Sequence, residues 1–266
     1  VEGVLQLPLE RRDALDAVLT VDNGRYEDYG VERARVEGGF AWGAGPSFDG
    51  RLQARGLTVN EERIAELELA GGYAEGEARL EDLRLIYDDQ TRLGFAGRLS
   101  LTETGFDAAG ERLEFEHQRL RVEIAEPFVV ALSGSNLELE PLTLVSNAGE
   151  LRLAGHFDLE EERFDFDAAS PGLDLGLLGE AVALTDDEEL SGRVDFSLTA
   201  MGSPQAPLFD LELDVDDFVY GEQGVERAAL DAELTGGAAL SELLAALDGA
   251  DPALQIERTH FFPLGG

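Results

Sequence analysis

Fifty-six acidic side chains, three histidines and a scatter of Ser-Gly steps are the groups in this 266-residue chain that could do chemistry. The densest carboxylates stand at Asp186-Asp187-Glu188-Glu189, Glu160-Glu161-Glu162 and Asp214-Val215-Asp216-Asp217. Such runs invite two readings, a calcium loop or an acid/base pair. A calcium loop of the EF-hand kind needs acids at alternate positions, then Gly and a later Glu, and none of the clusters has that spacing. A glycosidase needs two opposed carboxylates with separated pKa values, which a run of neighbours does not specify. The clusters therefore read as solvated faces and loops. His117, His156 and His260 show neither i, i+4 pairing nor HExxH, so they read as strand residues rather than ligands. Ser133-Gly134-Ser135 and Gly202-Ser203-Pro204 lack the G-x-S-x-G pattern of a nucleophile elbow, which also needs a strand-to-helix turn. The absence of Cys removes thiol catalysis and Cys-ligated zinc. The glycine pairs read as hairpin turns and not as phosphate cradles, and Trp42 and the five Tyr are spread too thinly for a stacking platform. The expectation is a non-enzyme with no metal and no cofactor.

Composition points the same way. The formal charge is −36, and all 20 bases are Arg. Nucleic acid is therefore excluded as a partner, because phosphate binding needs a basic face. Hydrophobic residues make up 44% and alternate regularly, which argues against disorder. Acid excess without Lys suits a salt-loving, GC-rich organism, where the Debye length falls to about 3 Å at 1 M salt and surface repulsion is screened. The chain begins VEGVLQ and its single Met is residue 201, so it reads as an internal piece of a longer protein. No apolar run approaches about 18 residues, so no transmembrane segment is expected within it.

In the elements that would carry these groups, period two dominates. Apolar residues alternate at Leu93, Phe95, Leu99, Leu101; at Leu120, Val122, Ile124; at Leu151, Leu153; at Val194, Phe196, Leu198; and at Leu211, Leu213, Val215. Charged and hydroxylic residues lie between them, so each strand has one dry face and one wet one. Turns are expected at Asn23-Gly24, Gly38-Gly39, Gly71-Gly72, Asp88-Asp89, Gly105, Asn147-Ala148-Gly149, Glu160 to Glu162 and Gly221 to Gly224. Helical signal is confined to two short stretches, near 172–180 after Pro171 and near 240–248 with Ser241 as N-cap.

One stretch occurs twice. Residues 15–34 align without a gap on 209–228 with ten identities in twenty, ending in GVERA both times. Asp22/Asp216 and Gly30/Gly224 read as turn-shaping, Tyr26/Tyr220 as packing beside them, and Glu32-Arg33 and Glu226-Arg227 as the flanks of an architectural module.

These segments carry a resemblance. VDNGRYEDYGVERARVEGGF, then FDGRLQARGLTVNEERIAELELAGGYAEGEARLEDLRLIY, resembles the repeated strand grammar of the TamB family, part of the AsmA-like superfamily of envelope proteins. A second stretch, LELEPLTLVSNAGELRLAGHFDLEEERFDFDAASPGLDLGLLGEAVALTDDEELSGRVDFSLTAMGSPQAP, is similar to that superfamily's middle pattern of strands, a short LDLGLL helix and G-S-P-x-x-P. The likeness covers roughly 10–237 in patches and rests on the order of degenerate motifs. It implies an all-β fold, an elongated, curled antiparallel sheet (a β-taco trough) with an apolar concave face and one or two short helices. It implies one continuous segment over 1–266, with repeat units 10–105, 106–169 and 190–237. It further implies a periplasmic segment of an inner-membrane-anchored, Gram-negative envelope protein. Its work would be phospholipid transport between inner and outer membranes, outer-membrane protein assembly, or both. The implied partners are phospholipid acyl chains, an outer-membrane assembly barrel protein and its client strands. The residues expected to line the groove are Phe95, Leu99, Leu101, Leu120, Val122, Ile124, Leu151, Leu153, Val194, Phe196, Leu198, Leu211, Leu213 and Val215. The rival is a surface adhesin or glycan-binding β array, in which the same alternation fills a closed core.

Overall fold

The computed structural model describes residues 2–3, 14–42, 45–60, 62–182, 190–220, 223–235 and 256–259. Among the described residues it is all-β with one short helix, and the chain divides into two compact units, Val1–Val129 and Val130–Gly266. The first holds β1 (Glu2–Gly3), β2 (Ala14–Tyr26), β3 (Tyr29–Ala41), β4 (Ser47–Val59), β5 (Glu62–Ala74), β6 (Glu77–Ile86), β7 (Thr91–Leu101), β8 (Gly105–His117) and β9 (Leu120–Ile124). From β2 to β9 each strand pairs antiparallel with the next, a meander that follows from connections too short for a crossover. The boundary falls within β10 (Phe128–Ser133), and the second unit goes on with β11 (Asn136–Ser146), β12 (Gly149–Asp158), β13 (Arg163–Asp174), α1 (Leu175–Val182), β14 (Leu190–Ser203), β15 (Ala206–Tyr220), β16 (Gln223–Thr235) and β17 (Ile256–Thr259). Its strands are antiparallel neighbours too.

Local chemistry explains where the hairpins close. Between β5 and β6, Glu75 (φ 53°) and Gly76 (φ 86°) both adopt left-handed φ, as a two-residue hairpin turn that matches strand twist requires. Asp88 turns the chain from β6 to β7 because its Oδ1 accepts the Gln90 and Thr91 amides at 2.8 and 2.6 Å. Asp158 does the same after β12, accepting from Glu160 and Glu161 at 2.8 and 2.9 Å. These Asx turns mimic a backbone turn with a side-chain oxygen. The helix begins where the Leu177 amide reaches the Asp174 carboxylate at 3.1 Å, an N-cap bond. Pro171, expected to start the helix, lies inside β13. The helix expected near 240–248 lies outside the described residues, as do Asp186 to Glu189, His260, and Gly221 and Glu222 of the expected β15–β16 turn.

Three expected turns are strand interior. Asn23-Gly24 lies in β2, Gly38-Gly39 in β3 and Gly71-Gly72 in β5. Flanking apolar residues keep their phase through Gly38 and Gly71, so the backbone stays extended there and the glycines serve the sheet rather than its bends. The turns at Asp88-Asp89, before Gly105, at Asn147-Ala148 and at Glu160 to Glu162 are in place.

The duplicated stretch is a hairpin with a fixed irregularity, the β2–β3 pair in one copy and β15–β16 in the other. Asp22 lies within β2 and opposes Arg33, with a 2.8 Å ion pair, so it braces the ladder and does not shape a turn. The equivalent Asp216 opposes Arg227 at 3.5 Å. The next residue, Asn23 in one copy and Asp217 in the other, has φ 52° in both. Asn and Asp tolerate that left-handed geometry better than other residues with a Cβ. The repeated V-D-(N/D) thus encodes a local twist at the same place in two hairpins.

Candidate functional site

Residues directly opposed in a ladder share a face, so register alone sorts the side chains. In the first unit four rows run across the strands on one face. The first is Leu15, Phe40, Phe48, Tyr73, Ala78, Leu99 and Ala108; the second is Ala17, Gly38, Gly50, Gly71, Leu80, Gly97 and Gly110. The third is Leu19, Val36, Leu52, Leu69, Leu83, Phe95 and Leu113, and the fourth runs from Val21 through Ala34, Ala54, Leu67, Leu85, Leu93 and Phe115 to Val122. Across these four rows one face of β2 to β9 is therefore apolar. The other carries paired charges: Arg55–Glu66 at 3.3 Å, Arg121–Glu116 at 2.7 Å, and Arg35–Glu37 and Arg79–Glu77 along single strands at 2.9 and 2.8 Å. Exposed pairs of this kind contribute about 0–1 kcal/mol each, so they keep that face wet without cementing it.

The second row decides the local surface. Large side chains two residues to either side leave its glycines as a low floor between two ridges. Gly38 has no alternative, because a Cβ there would stand 2.6 Å from the Asp49 carbonyl oxygen. Gly50 makes room for the Phe48 ring, whose Cζ lies 2.6 Å from where its Cβ would be, and Gly97 makes room for Phe95 at 3.1 Å. At Gly71 a Cβ would meet the backbone of Arg79 and Leu80. The result is a depression of about 510 Å³, floored by Ala17, Gly38, Gly50 and Gly71 and flanked by Leu19, Phe40, Phe48, Leu52, Leu69 and Tyr73, with Leu80 at one end. Trp42 leans on Phe40, ring centroids 5.6 Å apart.

The second unit repeats the segregation without the glycine floor. Leu153, Ala168, Leu198, Leu211 and Ala232 form one row, Phe196 and Leu213 another, and Leu173, Val194, Val215 and Ala228 a third. Leu151 opposes Leu144 on the same face.

All fourteen residues expected to line a groove fall on the apolar face of their own unit. Phe95, Leu99 and Leu101 come from β7; Leu120, Val122 and Ile124 from β9; Leu151 and Leu153 from β12; Val194, Phe196 and Leu198 from β14; Leu211, Leu213 and Val215 from β15. They do not converge on one point. The depression belongs instead to β2–β6, which contribute none of the fourteen. The overlooked signal is a glycine in apolar phase between large residues two positions away, as in Val36-x-Gly38-x-Phe40, Phe48-x-Gly50-x-Leu52 and Leu69-x-Gly71-x-Tyr73. Tyr73 shares one margin of that depression with Phe40 and Phe48, and Trp42 touches Phe40.

Burial tells how the face is used. Among the described residues the buried hydrophobic side chains are all alanines, and no large side chain is fully buried. Leu19 (40%), Val36 (42%), Phe40 (43%), Phe48 (50%) and Leu101 (65%) remain exposed. Two packed layers would have covered them.

Most polar groups are at turns and on the wet face; Thr91 and His117, two residues beyond Leu93 and Phe115 in the β7–β8 ladder, stand at the margin of the dry one, where His117 stacks on Phe115 with ring centroids 6.4 Å apart. Backbone amides, Gln90's foremost, hold the Asp88 carboxyl below the usual carboxylate range, and the Glu161 amide leads the same effect at Asp158. The hydrogen bond from the Tyr87 hydroxyl to the Glu62 carboxylate raises the Tyr87 pKa. His117 shares a 2.9 Å hydrogen bond with the Thr91 hydroxyl across the β7–β8 ladder, and exposed His156 sits in register with Glu138 and Asp165. Among the described residues no three His, Asp or Glu side chains are grouped to hold a metal ion. No described helix is long and apolar enough to cross a membrane.

No protein-family model, curated protein or solved structure matches the chain.

Proposed function

We propose that the apolar faces form a hydrophobic-groove segment that shields acyl chains of phospholipid passing between the inner and outer membranes, as the resemblance to the TamB family implies. The same surface suits apolar strands of client outer-membrane proteins. The segment would act in the periplasm as part of a longer, inner-membrane-anchored protein, with no catalytic step and no cofactor.

The observation that carries this reading is the uncovered face. Each methylene moved from water onto apolar surface gains about 0.8 kcal/mol, so a partly covered chain of about ten methylenes gains on the order of 8 kcal/mol before ordering costs. A face of Leu, Val, Phe and Ala without polar anchors offers many sites of similar affinity, which suits passage along it better than a shaped pocket does. A closed-core adhesin would instead bury its large side chains, and none is fully buried among the described residues.

The test is extraction of the purified chain with organic solvent and analysis of the extract for phospholipid. Stoichiometric phospholipid is expected. A lipid-free protein that also fails to take up phospholipid from vesicles would refute the proposal.

A further inference from the structure

Phenylalanine rings lie on the glycine row, and they are not held alike. The row passes from Gly38 and Gly50 through Gly71 and Leu80 to Gly97 and Gly110. Gly97 is buried, with the half-buried Phe95 ring 3.1 Å from its missing Cβ. Gly110 is buried too, and half-buried Phe128 packs on it more closely still. Phe48 uses the same device on two glycines at once: its Cζ lies 2.6 Å from the missing Cβ of Gly50 and its Cε2 3.3 Å from that of Gly38. Here the cover is incomplete. The Phe48 side chain is 50% exposed, and both glycines beneath its ring are only half-buried.

The loosely held ring is also the one with space beside it. Phe48, Gly38 and Gly50 line the depression of about 510 Å³, whereas the ring-covered glycines at 97 and 110 lie outside it. A phenylalanine moves by turning between staggered χ1 wells, and exposed side chains do so within nanoseconds. A ring enclosed by close-packed neighbours must wait for them to give way, and Phe48 borders open volume instead. Its position has a cost for any ligand. The apolar floor at Gly38 and Gly50 is already covered from within the chain, so an occupant has to exchange the ring's contact for its own. A site whose open state is only partly populated binds more weakly by that fraction.

We infer that Phe48 is an internal occupant of the floor, an autoinhibitory ring that an alkyl chain must displace to reach Gly38 and Gly50. This rests on the reading of the apolar face as an acyl-binding surface and adds to it the residue that sets how readily the depression opens.

The experiment uses the whole chain, freed of lipid, and a saturated n-alkyl carboxylate competed against a fluorescent fatty acid. Phe48→Ala should bind the carboxylate about tenfold more tightly than the natural chain, the factor that corresponds to half of a phenylalanine's burial no longer being given up on binding. Phe40→Ala is the control. Phe40 stands opposite Phe48 in the ladder, is 43% exposed and flanks the same depression, but Phe48 is the ring nearest both glycines. Loss of Phe40 therefore takes away contact without uncovering the floor and should weaken binding. A ring at 48 that served only as a wall would make the two variants behave alike. Weaker or unchanged binding by Phe48→Ala, or equal tightening in Phe40→Ala, would overturn the inference while leaving acyl binding intact. A second measurement keeps the ring and does not depend on whether Phe48→Ala folds. With para-fluorophenylalanine at position 48, the fluorine resonance should move toward its position in the urea-unfolded chain as the carboxylate is added, because the ring leaves its seat. Movement in the other direction, or none at saturation, would overturn the inference as well. Failure of the natural chain and Phe48→Ala alike to bind any carboxylate would overturn both readings together.

Discussion

Replacing Leu69 by Asp puts a carboxylate on the flank of the depression, between Leu52 on β4 and Leu83 on β6. Leu69 is 37% exposed, so about three-fifths of its surface is covered. Full burial of a leucine contributes about 1.5–3 kcal/mol, which makes the loss at this site about 1–2 kcal/mol. The poor fit of Asp to a strand adds up to about 1 kcal/mol. Because the face is open, the carboxylate can stay hydrated and no further desolvation cost arises. The total expected is about 2–3 kcal/mol, read as a lowered urea midpoint by circular dichroism with an unchanged slope. If instead a second layer covered this face in solution, the charge would be buried without a partner, and the loss would exceed about 4 kcal/mol. Co-purified phospholipid is measured on the same sample and should fall, since a charge now lies in the acyl path. A variant that fails to fold refutes the open face. A variant that folds and keeps its full lipid load refutes the depression as a lipid site.

Leu213→Asp and Val122→Asp, on the apolar faces of the two units, should likewise leave the strand signal largely intact while blocking lipid transfer between vesicles. Gly38→Ala is expected to cost about 1–3 kcal/mol in urea unfolding, because its Cβ meets the Asp49 carbonyl 2.6 Å away, whereas Gly30→Ala, whose nearest contact is at 3.5 Å, should be neutral or slightly stabilising. At the left-handed position of the duplicated hairpin, Asn23→Gly should be tolerated and Asn23→Val should cost about 1–2 kcal/mol by the same assay, with the same ranking at Asp217. For pH, the folded-state pKa values of Asp88 and Asp158 are depressed by backbone amides, so their stabilisation is complete above the unfolded value near 3.9 and is lost as pH falls through the lower folded values. Asp158→Ala should therefore lower the urea midpoint at neutral pH and cease to differ from the natural chain in strong acid.

Much of this was legible along the chain. Alternation over Leu120, Val122, Ile124 or Leu211, Leu213, Val215 identifies a strand and its dry face, because side-chain direction on a strand is a local property with period two. Asp88 and Asp158 as turn formers follow equally from local chemistry, a short acceptor reaching amides two and three residues on. The glycine pairs show where locality ends. Gly38-Gly39 and Gly71-Gly72 have the composition of a turn, and only the apolar phase carried through them marks them as strand interior. In the same way, duplicated Asp22 and Asp216 looked like turn residues until their cross-strand arginines were placed opposite them.

The sequence by itself determined the class of fold, the side of each strand that is dry, and the strong net acidity. Tertiary structure alone decided which residues from different strands stand in line. Register is a relation between strands, so no single strand encodes that Gly38, Gly50 and Gly71 form one floor, that Leu80 interrupts it, or that Phe40, Phe48 and Tyr73 make its margin. A one-residue slip would have turned every one of those side chains to the charged face. The candidate site is therefore a property of the ladder, built from small residues whose importance lies in what they leave open.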